Sequence, residues 1–295
     1  MASAILLIVI TISTVLQNIF KKQYNGKTKN TGAITFCFIS AFCAIPVFIA
    51  TANHPMIFSS ELIPHSIAFA VSYAVALVFS IYALQYGSLA ITSLILAYSL
   101  LIPTLNGIIF FHEEPKWSFW GGIILLMISI FLINYKNEKD TESANNKFSF
   151  KWIIFVALAF IGNGMCSTTQ SIQIKAFSHL EYTMTSEYMI LALIISTVVM
   201  VIVSLFSERN EIIPATKKGW FFAVLCGVIN GLTNYMVIAI QKLNELPVSV
   251  IFPCISGGGM ILTFIVSLTL FKEKMTKAQT VGFFVGVASV VLLNL

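Results

Sequence analysis

Carboxamide and hydroxyl side chains recur inside long apolar stretches of this sequence, at steps of three and four residues. The first stretch carries Gln17 and Asn18, and a later one carries Asn163, Ser167 and Gln170. Residues at these steps share one face of a helix. A carboxamide has several donors and acceptors to satisfy, and an apolar medium offers none. Such faces are therefore typical of a site that binds a small polar molecule.

Twelve residues are predicted to bind that molecule. Tyrosines are included where they lie in the middle of an apolar stretch, because a phenol away from the membrane interface needs a partner. The predicted substrate-binding residues are Gln17, Asn18, Tyr73, Tyr98, Ser99, Asn163, Ser167, Gln170, Asn230, Asn234, Tyr235 and Ser256. Hydrogen bonding between helices explains the same pattern, above all for Ser and Thr, and the sequence leaves both interpretations open.

A second feature is a helix-weakening sequence, PCISGGG, in the middle of an apolar stretch. Pro253 lacks a backbone donor, and Gly257, Gly258 and Gly259 lose the most conformational freedom on ordering. In one interpretation the glycines let two helices pack closely. In the other, these four residues form a hinge that bends the helix as a binding site opens.

These residues require elements that hold them in a membrane. Hydrophobic residues make up 58% of the 295 and charged residues only 10%, whereas soluble domains have about 25% charged residues. A helix needs about 20 apolar residues to cross the bilayer core. We predict an all-α polytopic membrane protein with ten transmembrane helices, at 2–20, 31–52, 65–85, 88–111, 117–135, 151–174, 183–206, 218–241, 246–271 and 276–294.

The sequence also predicts an internal repeat. A polar linker at 136–150 separates a first five-helix repeat, 1–135, from a second, 151–295. Short matches at a constant shift of 156 residues relate the halves: Ala83, Gln85 and Ser93 correspond to Ala239, Gln241 and Ser249. Because an odd number of spans reverses the chain direction, the two repeats are predicted to be inverted, as in many secondary transporters.

The distribution of basic residues predicts an orientation. Fourteen of the 17 lysines and arginines fall in the odd-numbered connections, and only Lys116, Lys175 and Lys242 fall on the other side. Basic loops favour the cytoplasmic side of a membrane. The expected localisation is therefore the plasma (inner) membrane, as a multi-pass protein with both termini facing outward.

Two related segments carry a resemblance to a known family. ALQYGSLAITSLILAYSLLIP with FHEEPKWSFWGG in the first half parallels AIQKLNELPVSVIFPCISGGG with LFKEKMTKAQTVG in the second. In this pattern the chain resembles the EamA-like transporters of the drug/metabolite transporter superfamily. The resemblance implies a ten-helix inverted-repeat carrier whose central cavity is lined by helices 1, 3, 4, 6, 8 and 9. It also implies that both termini face the cytoplasm, opposite to the orientation that the basic residues predict.

A secondary transporter that works by alternating access is thus the expected function. Because no charged residue lies in the central turns of the predicted helices, we expect a neutral, zwitterionic or aromatic substrate: a metabolite, amino acid or drug. Glu187, near the start of the seventh predicted helix, is the one carboxylate that could couple transport to protons, but an interfacial, solvated position is expected for it. The lipid bilayer and the small-molecule substrate are the expected partners, in a monomer or homodimer.

Other classes of function are less well matched by the sequence. An intramembrane enzyme would need a motif such as H-E-x-x-H or G-x-S-x-G at membrane depth, and none occurs. Neither a cofactor nor a metal site is predicted, and the scattered basic residues do not indicate nucleic-acid binding. A lipid or lipid-linked-sugar flippase remains an alternative, with Lys175 and Lys242 at its rim.

Overall fold

The computed structural model describes residues 2–52, 54–111, 117–134, 149–178, 184–243, 245, 248–273 and 275–292. All regular secondary structure in these residues is helical. The helices are α1 (Ala2–Thr28), α2 (Ala33–Thr51), α3 (Leu62–Tyr86), α4 (Leu89–Ala97), α5 (Leu101–Phe111), α6 (Trp117–Asn134), α7 (Phe150–Ala176), α8 (Thr185–Ser207), α9 (Ile212–Lys242), α10 (Val248–Thr269) and α11 (Lys277–Leu292). Nearly all of the predicted linker at 136–150 lies outside the described residues.

In the described part of the chain, six helices are long and apolar enough to cross a membrane: α1, α2, α3, α7, α8 and α9. Their outward faces carry large apolar side chains such as Phe42, Val71 and Phe206, which are 62%, 60% and 86% exposed. Apolar side chains in such positions suit a lipid environment. The prediction of an all-helical membrane protein is therefore confirmed for the described part of the chain.

The first helix is longer than the sequence indicated. It was expected to end at residue 20, yet α1 continues to Thr28. Asn25 is buried and donates from Nδ2 to the carbonyl oxygen of Ile81 at 3.0 Å, and Lys22 pairs with Glu273 at 3.4 Å. Partners on α3 and in the α10–α11 connection thus satisfy polar groups that the sequence alone assigned to a connection.

The helices α2, α3, α8 and α9 form the main core. In it α2 packs on α8 and α9, and α3 packs on α7 and α8. Gly162 of α7 allows one of these close contacts, because a Cβ atom there would lie 2.6 Å from the backbone nitrogen of Ala76 in α3. The helices α6 and α11 pack against each other.

A break separates α4 from α5. Residues Tyr98–Leu100 form a single 3-10 turn, and Pro103 follows in the first turn of α5. Proline cannot donate to the carbonyl four residues earlier and clashes with it, which here is the carbonyl of Ser99. Gly164 of α7 lies against that carbonyl, since a Cβ atom on it would be 2.6 Å from the Ser99 oxygen.

Carboxylates from the second half cap two helices of the first half. Glu208 accepts hydrogen bonds from the backbone of Ile34 and Thr35 at the start of α2, each at 3.0 Å. Glu273 accepts from Leu89 at the start of α4, at 2.9 Å. Both carboxylates compensate the positive end of a helix dipole. We call this end of the bundle, defined by Lys22, Gly87, Glu208 and Glu273, the lysine-rich end.

Candidate functional site

A cavity of about 230 Å³ lies among α1, α3, α4, α7, α9 and α10. They correspond to predicted helices 1, 3, 4, 6, 8 and 9, the six that the family resemblance implied. The numbers differ because the fourth predicted helix, 88–111, is divided into α4 and α5. Nine of the twelve predicted binding residues line it: Gln17, Asn18, Tyr73, Asn163, Ser167, Gln170, Asn230, Asn234 and Ser256. The helical faces inferred from three- and four-residue steps thus meet at one place in the fold.

Tyr98, Ser99 and Tyr235 are not among the lining residues. Tyr98 is buried, and its hydroxyl donates to Ser129 Oγ of α6 at 3.0 Å. Ser99 accepts a hydrogen bond from Asn163 Nδ2 at 2.7 Å. It therefore contacts a lining residue without lining the cavity itself. Tyr235 is partly buried and packs against the main core.

Hydrogen bonds join the lining carboxamides into a network centred on Asn230. Asn230 Nδ2 donates to Gln17 Oε1 at 2.8 Å, and the Tyr73 hydroxyl donates to Asn230 Oδ1 at 2.8 Å. Gln17 in turn donates from Nε2 to Thr233 Oγ1 at 3.0 Å. Three helices, α1, α3 and α9, are connected by these bonds, and the mid-membrane phenol of Tyr73 obtains the partner that it needs.

The network continues to α7. Asn234 Nδ2 donates to the backbone oxygen of Asn230 at 2.9 Å, and Gln170 Nε2 donates to Asn234 Oδ1 at 3.1 Å. Bonds between helices therefore satisfy part of the hydrogen-bonding capacity of these carboxamides, while the same side chains still line the cavity. The structural and the ligand-binding interpretations of the carboxamides are compatible with each other.

The side of the cavity formed by α4 and α10 is less polar. It consists of Leu96, Ala97, Ile255 and Met260, together with small hydroxyl residues. One of these, Ser93 of α4, accepts a hydrogen bond from Asn18 Nδ2 at 3.2 Å. A ligand in the cavity would meet polar groups on α1, α7 and α9 and apolar groups on α4 and α10.

Lys21 lines the cavity and was missing from the predicted site. Its Nζ donates to Ser80 Oγ of α3 at 3.1 Å. The sequence assigned Lys21 to a connection because α1 was expected to end one residue earlier. The sequence nevertheless indicates that Lys21 shares the polar face of α1, because it continues the three- and four-residue steps of Thr14, Gln17 and Asn18.

The predicted hinge residues occupy different environments in α10. A Cβ atom on Gly258 would lie 3.0 Å from Thr11 Cγ2 of α1, whereas one on Gly259 would meet no described atom within 4 Å apart from the adjacent backbone of α10. Gly259 lines the cavity and Gly257 is buried. The helix runs without a break through Pro253, whose side chain lies outside the described part of the structure.

Glu187 does not have the solvated position expected for it, and that prediction was wrong. The residue is completely buried in the first turn of α8. Residues of the α2–α3 connection cover it: Ile57 donates its backbone N–H to Glu187 Oε1 at 3.2 Å, and His54 Nδ1 lies 3.5 Å from the same oxygen. A connection that is distant in sequence removes this carboxylate from water.

Comparisons with known proteins agree with this architecture. A solved crystal structure, described only as that of a protein, superposes with a TM-score of 0.61 over 96% of this chain and 94% of its own, at 10% identity. Among curated proteins none matches this sequence. The EamA-like transporter family profile matches residues 146–295, half of the chain. Together with the apolar spans and the helix-lined cavity, this match establishes that the chain belongs to the EamA-like transporter family of the drug/metabolite transporter superfamily.

Proposed function

We propose that this membrane transporter is a secondary carrier for a small metabolite, amino acid or drug. One observation carries the proposal: a cavity of about 230 Å³ in which hydrogen bonds join the lining carboxamides. We call Gln17, Gln170, Asn230 and Asn234 the carboxamide wall. The wall is preformed, and it combines fixed polar groups with apolar surface as small-molecule sites do. Its residues come from both halves of the chain, so a movement of one half against the other would change the site.

We further propose the plan of ten spans in two inverted repeats, 1–135 and 151–295. Reciprocal packing supports it: α3 contacts α7 just as α9 contacts α1, and α2 packs on its counterpart α8. The helices α6 and α11, the last of each half, also pack together. These pairs are the ones that a twofold axis in the membrane plane would relate.

Alternating access is the proposed mechanism, and contacts between the halves at both ends support it. At the lysine-rich end, Glu273 bonds to Leu89 and pairs with Lys22. At the opposite end, Ser3 donates to Glu245, and Glu187 accepts from Ile57. Opening either end would break one group of contacts while the other remained closed.

The environment and assembly of the carrier are part of the same proposal. The expected location is the plasma (inner) membrane, with the bilayer and a small-molecule substrate as partners and a monomeric or homodimeric assembly. No enzymatic activity is proposed. The flippase alternative gains no support, since Lys242, one of its two rim lysines, donates to Thr185 Oγ1 at 2.8 Å.

The experiment has two steps. A thermal-shift screen of metabolites identifies ligands, because a compound that binds the folded carrier raises its apparent stability. Counterflow of the labelled ligand into proteoliposomes then tests transport. We expect Gln17→Ala and Asn234→Ala to reduce counterflow strongly, and Val228→Ala, on the exposed face of α9, to leave it unchanged. Full counterflow in both site variants would overturn the assignment of the site, and ligand binding without counterflow would overturn the carrier.

A further inference from the structure

The lysine in the cavity has an incomplete set of hydrogen-bond partners. Lys21 Nζ donates to Ser80 Oγ, and Ser80 is itself buried and donates to the carbonyl oxygen of Leu77 at 2.9 Å. The serine hydrogen is thus used, and the hydroxyl acts as an acceptor for the ammonium. An ammonium has three donors, and Ser80 is the one hydrogen-bond partner of Lys21 among the described residues. Two donors of Lys21 are therefore left for water or a ligand in the cavity.

The neighbouring lysine provides a comparison within the same turn of α1. Lys22 lies 3.4 Å from Glu273 and donates to the carbonyl oxygens of Leu84 and Gly87 at 3.4 and 3.2 Å. Lys21 has no such carboxylate: among the residues that the structure describes, none forms an ion pair with it within 4.0 Å. One lysine is neutralised by the protein, and the adjacent one is not.

The rest of the cavity does not compensate this charge. Within the described lining, every side chain except Lys21 is a carboxamide, a hydroxyl, a thiol, a thioether or a hydrocarbon. A cation held among membrane helices is costly unless an opposite charge or water accompanies it. An anionic group on the ligand would supply the missing charge and accept the two remaining donors.

We propose that Lys21 is the anchor for a carboxylate of the substrate, so that the carrier transports small monocarboxylates, including zwitterions. The inference rests on the carrier proposed above and narrows its substrate class. It removes purely neutral molecules from the class expected from sequence. Asn18, one turn earlier on the same face and bonded to Ser93, lies beside the anchor, and the remaining body of the substrate would extend along the carboxamide wall.

The test compares carboxylates with matched neutral compounds. Purified full-length protein is screened by thermal shift and calorimetry against common L-amino acids and small monocarboxylic acids, each beside its own carboxamide. We expect the wild type to bind carboxylates at least about tenfold more tightly than their amides, because a hydrogen bond to a charged group is worth about that factor. Lys21→Met should abolish the preference, with the affinity for amides unchanged.

Three further variants control the test. Lys27→Met removes a positive charge from the exposed last turn of the same helix and should change nothing. Lys21→Arg keeps the charge and should retain the preference, which decides the matter if Lys21→Met fails to fold. Ser80→Ala removes the acceptor that the protein supplies to Lys21 and should also retain the preference for carboxylates.

The outcomes separate this inference from the carrier proposal. If the protein binds and transports the amides as well as the acids, or if Lys21→Met leaves the preference intact, the carrier stands and the carboxylate anchor is wrong. If no member of the panel binds or moves, the carrier proposal and the anchor both fail. Carboxylate binding that is lost in Lys21→Met and kept in Lys21→Arg supports the anchor.

Discussion

The carboxamides of the cavity hold one another in fixed orientations. Asn230 contacts Gln17, Tyr73 and Asn234, so its orientation is determined before any ligand enters. Preorganised polar groups bind with less loss of conformational freedom than mobile ones. The network therefore connects the helices of the bundle, and in the carrier that we propose it also holds these groups in place for a polar ligand.

Removing one bond of this network should have a small, measurable effect. Tyr73→Phe deletes the donor to Asn230 Oδ1, and we expect a loss of about 1 kcal/mol in the free energy of unfolding with weaker ligand binding. Thermal unfolding in detergent measures the first and calorimetry the second. Tyr86→Phe is the control, since Tyr86 is 44% exposed; equal effects of the two changes would contradict the role given to Tyr73.

Residue types and periodicity were sufficient to find most of the cavity, but they could not identify partners. A mid-span tyrosine predicts some partner, and the partner of Tyr98 is Ser129 on α6 rather than a ligand. Periodicity selects a face of a helix without saying which helix it will meet. Glu187 escaped prediction for the same reason, because its burial depends on Ile57 and His54 in another connection.

Among the elements, α4 depends on a carboxylate from another part of the chain. Glu273 bonds to the first backbone N–H groups of α4 and to Ser267. Glu273→Gln removes the charge at this helix terminus, and we expect a loss of about 1–2 kcal/mol in the free energy of unfolding. Glu61→Gln, at an exposed position before α3, should have little effect. A Glu273→Gln protein as stable as the wild type would contradict this capping role.

Substitutions at the glycines of α10 distinguish two roles: close packing of the helix against α1, and bending of the helix as a hinge. A methyl group on Gly258 would lie only 3.0 Å from Thr11 Cγ2, closer than ordinary van der Waals contact. We therefore expect Gly258→Ala to be mildly and Gly258→Leu to be strongly destabilising in thermal unfolding. Gly259→Ala should remain stable, because the added methyl group would meet no described atom within 4 Å apart from the adjacent backbone of its own helix. A Gly258→Leu protein that is stable and binds ligand but fails in counterflow would contradict packing and favour the hinge.

The ends and breaks of helices were harder to predict than their presence. Neither glycine nor proline marks the boundary expected for α1 at residue 20, and Gly26 lies inside that helix. The break between α4 and α5 occurs at Tyr98–Leu100, just before Pro103, whereas α10 continues through its own proline. The Ser99 carbonyl, to which Pro103 cannot donate, faces Gly164 of α7.

For the whole molecule, orientation is predicted by its basic residues. Fourteen of the 17 lysines and arginines fall in the odd-numbered connections of the sequence, and the positive-inside rule predicts that these connections are cytoplasmic. A reporter fused after Leu295 should therefore be found outside the cytoplasm. A cytoplasmic reporter would contradict the outward orientation and agree with the usual arrangement of the family.

The most direct test of the central claim is ligand binding to an Asn230 variant. Asn230 is the centre of the carboxamide wall, so calorimetry on Asn230→Ala should show an affinity at least about tenfold lower than that of the wild type. Val228→Ala, on the exposed face of the same helix, should bind normally. A folded Asn230→Ala protein with unchanged affinity would contradict the claim that this cavity is the substrate site.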